Sequence, residues 1–181
     1  PILMAPMAGA CPPSLAAAVA NAGGLGACGV LTLQPAAIKA WASETRAASN
    51  GAFQLNTWIP DPAPVRDAAA EAAMRDFLAR FGPAVPPEAG DVTLVDFDAQ
   101  CEAMLEVGPP IVSSIMGLYP AAFVARMKQR GIRWFATVTT VAEARAAVAA
   151  GADAVVAQGI EAGGHRGAFE VDRPDAAMIG L

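Results

Sequence analysis

The sequence predicts a parallel α/β fold on three observations. Six short runs are mostly continuously apolar rather than alternating, as strands buried on both faces require. Alanine-rich stretches of helical character separate them. Glycines stand just past the ends of several of these stretches, where a left-handed residue stops a helix. Strand–helix repetition of this kind implies right-handed βαβ units.

The expected strands are Ile2–Ala5, Leu25–Val30, Phe53–Trp58, Ile111–Met116, Ile132–Val138 and Ala154–Gln158. Ser14 is expected to cap a helix running to Asn21, with Gly23 just beyond it. Pro120 opens another helix that stops at Gly131, since proline is pre-organised for a first turn. Thr140-Val-Ala-Glu143 reads as a capping box for a helix ending at Gly151. Residues 60–110 break the rhythm with the proline-rich Pro60-Asp-Pro-Ala-Pro64 and Pro83–Pro87. That excursion is too long for one crossover, so it is read as two helices, near Val65–Phe81 and Phe97–Val107, joined by a loop. A further helix is expected after Arg173. Six units fit either an open doubly wound sheet or part of a (β/α)₈ barrel, which usually takes about 250 residues.

Composition narrows the class of function. The 181 residues are 55 % hydrophobic and 16 % charged, which marks a folded chain with a real core. A net charge of −5 gives no electrostatic reason to expect nucleic acid or an anionic membrane as partner. Pro1 to Ile38 carries no charge, but Pro6, Pro12, Pro13, Asn21 and a cluster of glycines interrupt it. No membrane-spanning helix is therefore expected, and no positive start marks a secretory signal. The cysteines, Cys11, Cys28 and Cys101, are odd in number, widely spaced and free of any CxxC. They fit a reducing, cytoplasmic setting. Cys11 could line a site, although a small buried hydrophobe is the plainer reading.

Gly24-Leu-Gly26-Ala-Cys-Gly29 matches GxGxxG. A dinucleotide fingerprint must follow a strand and open a helix, and here the order is reversed. The glycines read instead as a tight helix-to-strand turn. A second feature, Gln158-Gly-Ile-Glu161-Ala-Gly163-Gly164-His165-Arg166-Gly167, directly follows a strand. Its four glycines let backbone approach a flat ligand closely. A lone histidine is usually structural, but one flanked by glycines on a post-strand loop has little packing role. Histidine is also the side-chain type that changes charge near neutral pH. His165 is therefore the candidate catalytic residue, while Arg166 is either functional or a solvated loop charge. Asn56, at the end of an apolar strand, needs partners if it is buried. In a barrel, strand C-termini converge on one face. Asn56, Thr137, Thr139, Gln158 and His165 would then share a rim with Met7-Ala8-Gly9.

Ala5-Pro-Met-Ala-Gly9, Asn21-Ala-Gly-Gly-Leu-Gly26 and especially Gln158-Gly-Ile-Glu-Ala-Gly-Gly-His-Arg-Gly167 resemble the nitronate monooxygenase family, formerly called 2-nitropropane dioxygenase. The resemblance covers essentially the whole chain. It implies a (β/α)₈ barrel, with about six of its eight units present here, holding FMN at the C-terminal rim. It further implies that Asn56, Gln158, Gly163 and Gly164 contact flavin, that Met7 and Ala8 lie against its ring, and that His165 works near flavin N5. No metal is implied. The family continues with two more strands whose loops hold the FMN phosphate, so a chain ending at Leu181 is expected to be a truncated barrel. The implied partners are an alkyl nitronate or nitroalkane and O₂, and a homo-oligomer is compatible. The reaction gives a carbonyl compound and nitrite. Two alternatives stand beside this: a flavin-dependent enoyl-acyl carrier protein reductase, and a flavin-free truncated barrel acting as an assembly module.

Overall fold

A computed structural model describes residues 2–63, 65–91, 94–170 and 180. It divides into two compact units, Pro1–Pro60 with Val95–Leu181, and Asp61–Leu94. The helix expected after Arg173 lies outside the described residues.

The larger unit is built on a five-stranded, all-parallel sheet in sequential order. Its elements are α1 (Pro13–Asn21), β1 (Gly26–Gly29), α2 (Pro35–Ala48), β2 (Phe53–Trp58), α4 (Phe97–Val107), β3 (Ile111–Ile115), α5 (Ala121–Gln129), β4 (Arg133–Val138), α6 (Val141–Ala149) and β5 (Ala154–Ala157). The smaller unit holds α3 (Ala68–Leu78) and a 3₁₀ turn at Pro87–Gly90. Strands that neighbour in sequence also pair in space, without any reversal of order. This is the arrangement of a barrel wall, and the chain is a partial (β/α)₈ barrel. Among the described residues no helix is long and apolar enough to cross a membrane.

Alternation along each strand separates two faces. Phe53, Leu55, Val112, Trp134, Ala136 and Val138 join one buried core with Ile38, Trp41, Met104, Leu105, Phe123 and Met127 of the surrounding helices. Gln54, Asn56 and Trp58 alternate to the opposite face of β2, which is the barrel interior. Tyr119 anchors the core by donating to Ser113 O at 3.0 Å and meeting Trp134 edge-on, with ring centroids 5.8 Å apart. Burial pushes the Cys28 and Cys101 thiols up to about 12. Both are therefore protonated near neutral pH and pack as small hydrophobes.

Several sequence expectations change, and β1, β4 and β5 each fall one or two residues short of the expected Leu25–Val30, Ile132–Val138 and Ala154–Gln158. The strand over Ile2–Ala5 reduces to a single parallel bridge, Leu3 with Leu25. Ser14 does not cap α1: Pro12 holds the cap position without a side-chain bond, and Ser14 lies inside the first turn. The two prolines start the helix by fixing φ, leaving the serine hydroxyl no capping role. The helix expected near Val65–Phe81 is the shorter α3, because the Asp67 carboxylate takes the N-cap, accepting from Ala69 N and Ala70 N. The fourth run ends one residue early, because Met116 turns into a left-handed φ of 65° and leaves the strand. By contrast, the Thr140–Glu143 capping box forms in full, and Gly131 and Gly151 take φ of 70° and 97° at their helix ends. The GxGxxG glycines serve packing. A Cβ on Gly26 would lie 2.6 Å from Ala16 O of α1, so only glycine lets the helix settle on the strand.

Candidate active site

The predicted site residues gather at the C-terminal ends of the strands: Asn56 by its place in β2, Gln158, Gly163, Gly164 and His165 by the loop after β5, and Met7 and Ala8 by the loop that precedes α1. At β1, Gly29 meets the loop that precedes α1. A Cβ there would stand 2.9 Å from Ala8 N and 3.3 Å from Met7 C, so the loop backbone lies directly on the strand end. Cys11 ties that loop down, with its Sγ accepting from Met7 N at 3.3 Å. This makes Cys11 a buried brace of the loop. Met7 remains exposed at 45 %.

At β2, Asn56 is buried and donates from Nδ2 to Ser113 Oγ of β3 at 3.0 Å. The register aligns Asn56 with Ser113, and Trp58 with Ile115. Asn56 thus has the partner its burial requires, and the hydroxyl fixes which way its amide faces. At β4, Thr139 is buried and donates from Oγ1 to Glu143 Oε2 at 2.8 Å, while Thr137 pairs in register with Val156.

The loop after β5 folds back across these ends. Its first residue, Gln158, uses both ends of its amide on the loop itself. Nε2 donates to His165 O at 2.9 Å, and Oε1 accepts from Gly167 N at 2.7 Å. This clasp brackets Arg166, whose guanidinium nitrogens are buried rather than solvated. Gly167 is packed so tightly that a Cβ would lie 2.8 Å from Ile115 Cγ1 of β3. Farther on, Phe169 N donates to Glu143 Oε1 at 2.8 Å. Gly164 takes a φ of 83°, and a Cβ on Gly163 or Gly164 would meet nothing within 4 Å. That stretch therefore presents bare backbone.

The result places His165, which is exposed, against the ring of Trp58, with centroids 4.7 Å apart and planes at 60°. A loop that starts at β5 thus delivers its histidine to the end of β2, two residues past Asn56 on the same strand face. Trp58, Ser113 and Glu143 belong to this constellation, and sequence reading did not single them out as site residues. Period two from Asn56 could have found Trp58, whereas the partners of Asn56 and Phe169 depend on register and loop path. Met116, directly after β3, carries the only positive φ of a non-glycine among the described residues. Such a conformation costs about 1 kcal/mol or more and tends to cluster at functional sites. Among the described residues no group of three or more His, Cys, Asp or Glu is placed to hold a metal ion.

Comparison with known proteins bears on this geometry. The family model described as nitronate monooxygenase matches residues 1–179. A nitronate monooxygenase of Paraburkholderia phytofirmans is 42 % identical over 181 residues, covering 97 % of this chain and 49 % of that protein. One of Pseudomonas aeruginosa is 41 % identical over 184 residues, covering 98 % and 52 %. The chain spans about half the length of the curated relatives it matches. Among solved structures, nitroalkane oxidase from Streptomyces ansochromogenes superposes with a TM-score of 0.80 at 35 % identity, covering 99 % of this chain and 52 % of that one. FabK from Thermotoga maritima, as its M276A mutant, superposes with a TM-score of 0.67 at 30 % identity, covering 91 % and 44 %.

Proposed function

The chain belongs to the nitronate monooxygenase family, and from that premise we propose that it carries the reaction centre of an FMN-dependent enzyme that oxidises alkyl nitronates with O₂ to a carbonyl compound and nitrite. The observation that carries this reading is the seating of His165 on Trp58, beside Asn56, by a loop whose backbone Gln158 clasps.

The residues present fit a flat cofactor with a polar edge. Gly163 and Gly164 offer backbone without side chains, and Met7–Ala8 forms a wall at the end of β1. The Asn56 amide is oriented by Ser113 with its oxygen still able to accept. Gln158 keeps one further N–H beyond its two loop bonds, so it can hold the loop and touch the cofactor's edge. FMN, when bound, supplies the redox chemistry between substrate and oxygen. FMN rather than FAD is favoured because no Rossmann fingerprint offers a place for an adenylate half.

The chain's own part is proton handling and orientation. The His165 imidazole accepts the α-proton of a neutral nitroalkane, or donates a hydrogen bond to the nitro oxygens of a nitronate already formed. Trp58 backs the imidazole with an apolar ring, restricting its rotation. Geometry of this kind is what makes general-base catalysis effective.

The test is nitrite release. The whole protein, given preformed nitronate in air, is expected to produce nitrite, and under anaerobic NADH its flavin is expected to stay oxidised. Rapid bleaching by NADH with no nitrite would favour the enoyl-acyl carrier protein reductase instead. Neither flavin nor nitrite would leave the assembly-module alternative.

A further inference from the structure

We propose that Glu143 is a positioning residue of the reaction centre, whose carboxylate tethers the far end of the His165 loop. This rests on the reading of His165 given above. A capping box requires two contacts, and Glu143 makes both: Thr140 Oγ1 accepts from Glu143 N at 3.1 Å, and Glu143 Oε2 accepts from Thr140 N at 3.2 Å. The carboxylate then goes further. Oε2 also accepts from Thr139 N at 2.6 Å and from Thr139 Oγ1 at 2.8 Å. Oε1 accepts from Phe169 N at 2.8 Å, a bond between residues 26 apart that has no part in capping α6.

That last bond completes a pair of restraints. Gln158 holds the loop at His165 and Gly167, and Glu143 holds it two residues later, at Phe169. Between Gln158 and Phe169 lie Gly159, Gly163, Gly164 and Gly167, which would give an untethered loop wide conformational freedom. A base displaced by about 1 Å loses on the order of a hundredfold in rate. Glu143 therefore converts a routine helix cap into a link between the β4–α6 turn and the placement of the imidazole.

The two functions of Glu143 can be separated. Glu143→Gln keeps the length of the side chain, and glutamine also serves in capping boxes. Its one oxygen is claimed by the three donors of Thr139 and Thr140, which leaves its amide facing Phe169 N, donor against donor. The tether breaks and the cap survives. Thr140→Val does the reverse, removing the hydroxyl that accepts from Glu143 N while leaving the Phe169 bond. Hydrogen exchange by mass spectrometry on the whole protein reads the loop directly, without reference to activity. In Glu143→Gln the 159–170 peptide is expected to exchange about tenfold faster, as befits loss of one charge-assisted bond. In Thr140→Val that peptide is expected to be unchanged. Turnover of a neutral nitroalkane should fall about tenfold in Glu143→Gln, in kcat rather than KM. Unchanged exchange in Glu143→Gln would overturn the tether. Faster exchange with full kcat, in an enzyme that His165→Ala cripples, would overturn the positioning role. Full activity in His165→Ala would instead bring down the reading of His165, while the exchange result would still decide the tether.

Discussion

Replacing His165 with alanine in the whole protein is expected to lower turnover of a neutral nitroalkane by about a hundred- to ten-thousand-fold, the usual contribution of a positioned general base. That corresponds to roughly 3 to 5 kcal/mol in the barrier. The flavin should stay bound, because the imidazole lies against Trp58 while Gly163 and Gly164 present bare backbone that the substitution leaves in place. A preformed nitronate has already lost its proton, so it should suffer less than the neutral acid. Comparing kcat/KM for the two forms in wild type and variant separates proton abstraction from general damage. Equal activity toward the neutral substrate would make His165 a structural residue.

The second large effect lies in the core beneath the site. Trp134 is fully buried, donates from Nε1 to Ser114 Oγ at 3.0 Å, and meets Tyr119 edge-on. Its main-chain N also donates to Asp153 at 2.7 Å, joining β4 to the start of β5. Trp134→Ala removes the largest buried side chain and takes from Ser114 its donor. A loss of about 3 to 5 kcal/mol is expected, a large share of the roughly 5 to 15 kcal/mol that holds a typical domain. For a unit of this size, that lowers Tm by about 6 to 20 °C. Trp134→Phe should cost less, since most of the ring remains. A thermal melt of each variant checks the order, and a shift under about 2 °C for alanine would contradict the packing described.

How much of this was legible in the sequence differs between fold and site. The apolar runs at Phe53–Trp58 and Ile111–Met116, and the stops at Gly131 and Gly151, marked strands and helix ends because each has a local cause: strand burial on both faces and left-handed φ. Ala154–Ala157 also forms a strand, although most of it is exposed. Ser14 misled for the same reason. Local propensity named it a cap, and the adjoining prolines had already set the start of the helix. The run Ile2–Ala5 has the composition of a strand, yet only Leu3 pairs, which a pattern of hydrophobicity does not reveal.

Given a barrel, which the family resemblance implied, the rim followed from the strand ends, and Asn56 and Gln158 fell on it. Their partners could not be placed that way. That Asn56 meets Ser113 depends on the register of β2 against β3, and that His165 meets Trp58 depends on a loop crossing from β5 to β2. Glu143 shows the limit most clearly. Its spacing from Thr140 declared the capping box, while its bond to Phe169 joins residues that no short-range pattern connects.

FMN bound at this rim is the premise of every catalytic role proposed for these residues. The most direct measurement is the absorbance spectrum of the purified whole protein, followed by chromatography of the heat-released cofactor against FMN and FAD standards. Flavin bands and a released species running with FMN are expected. A colourless protein, or one releasing FAD, would contradict that premise.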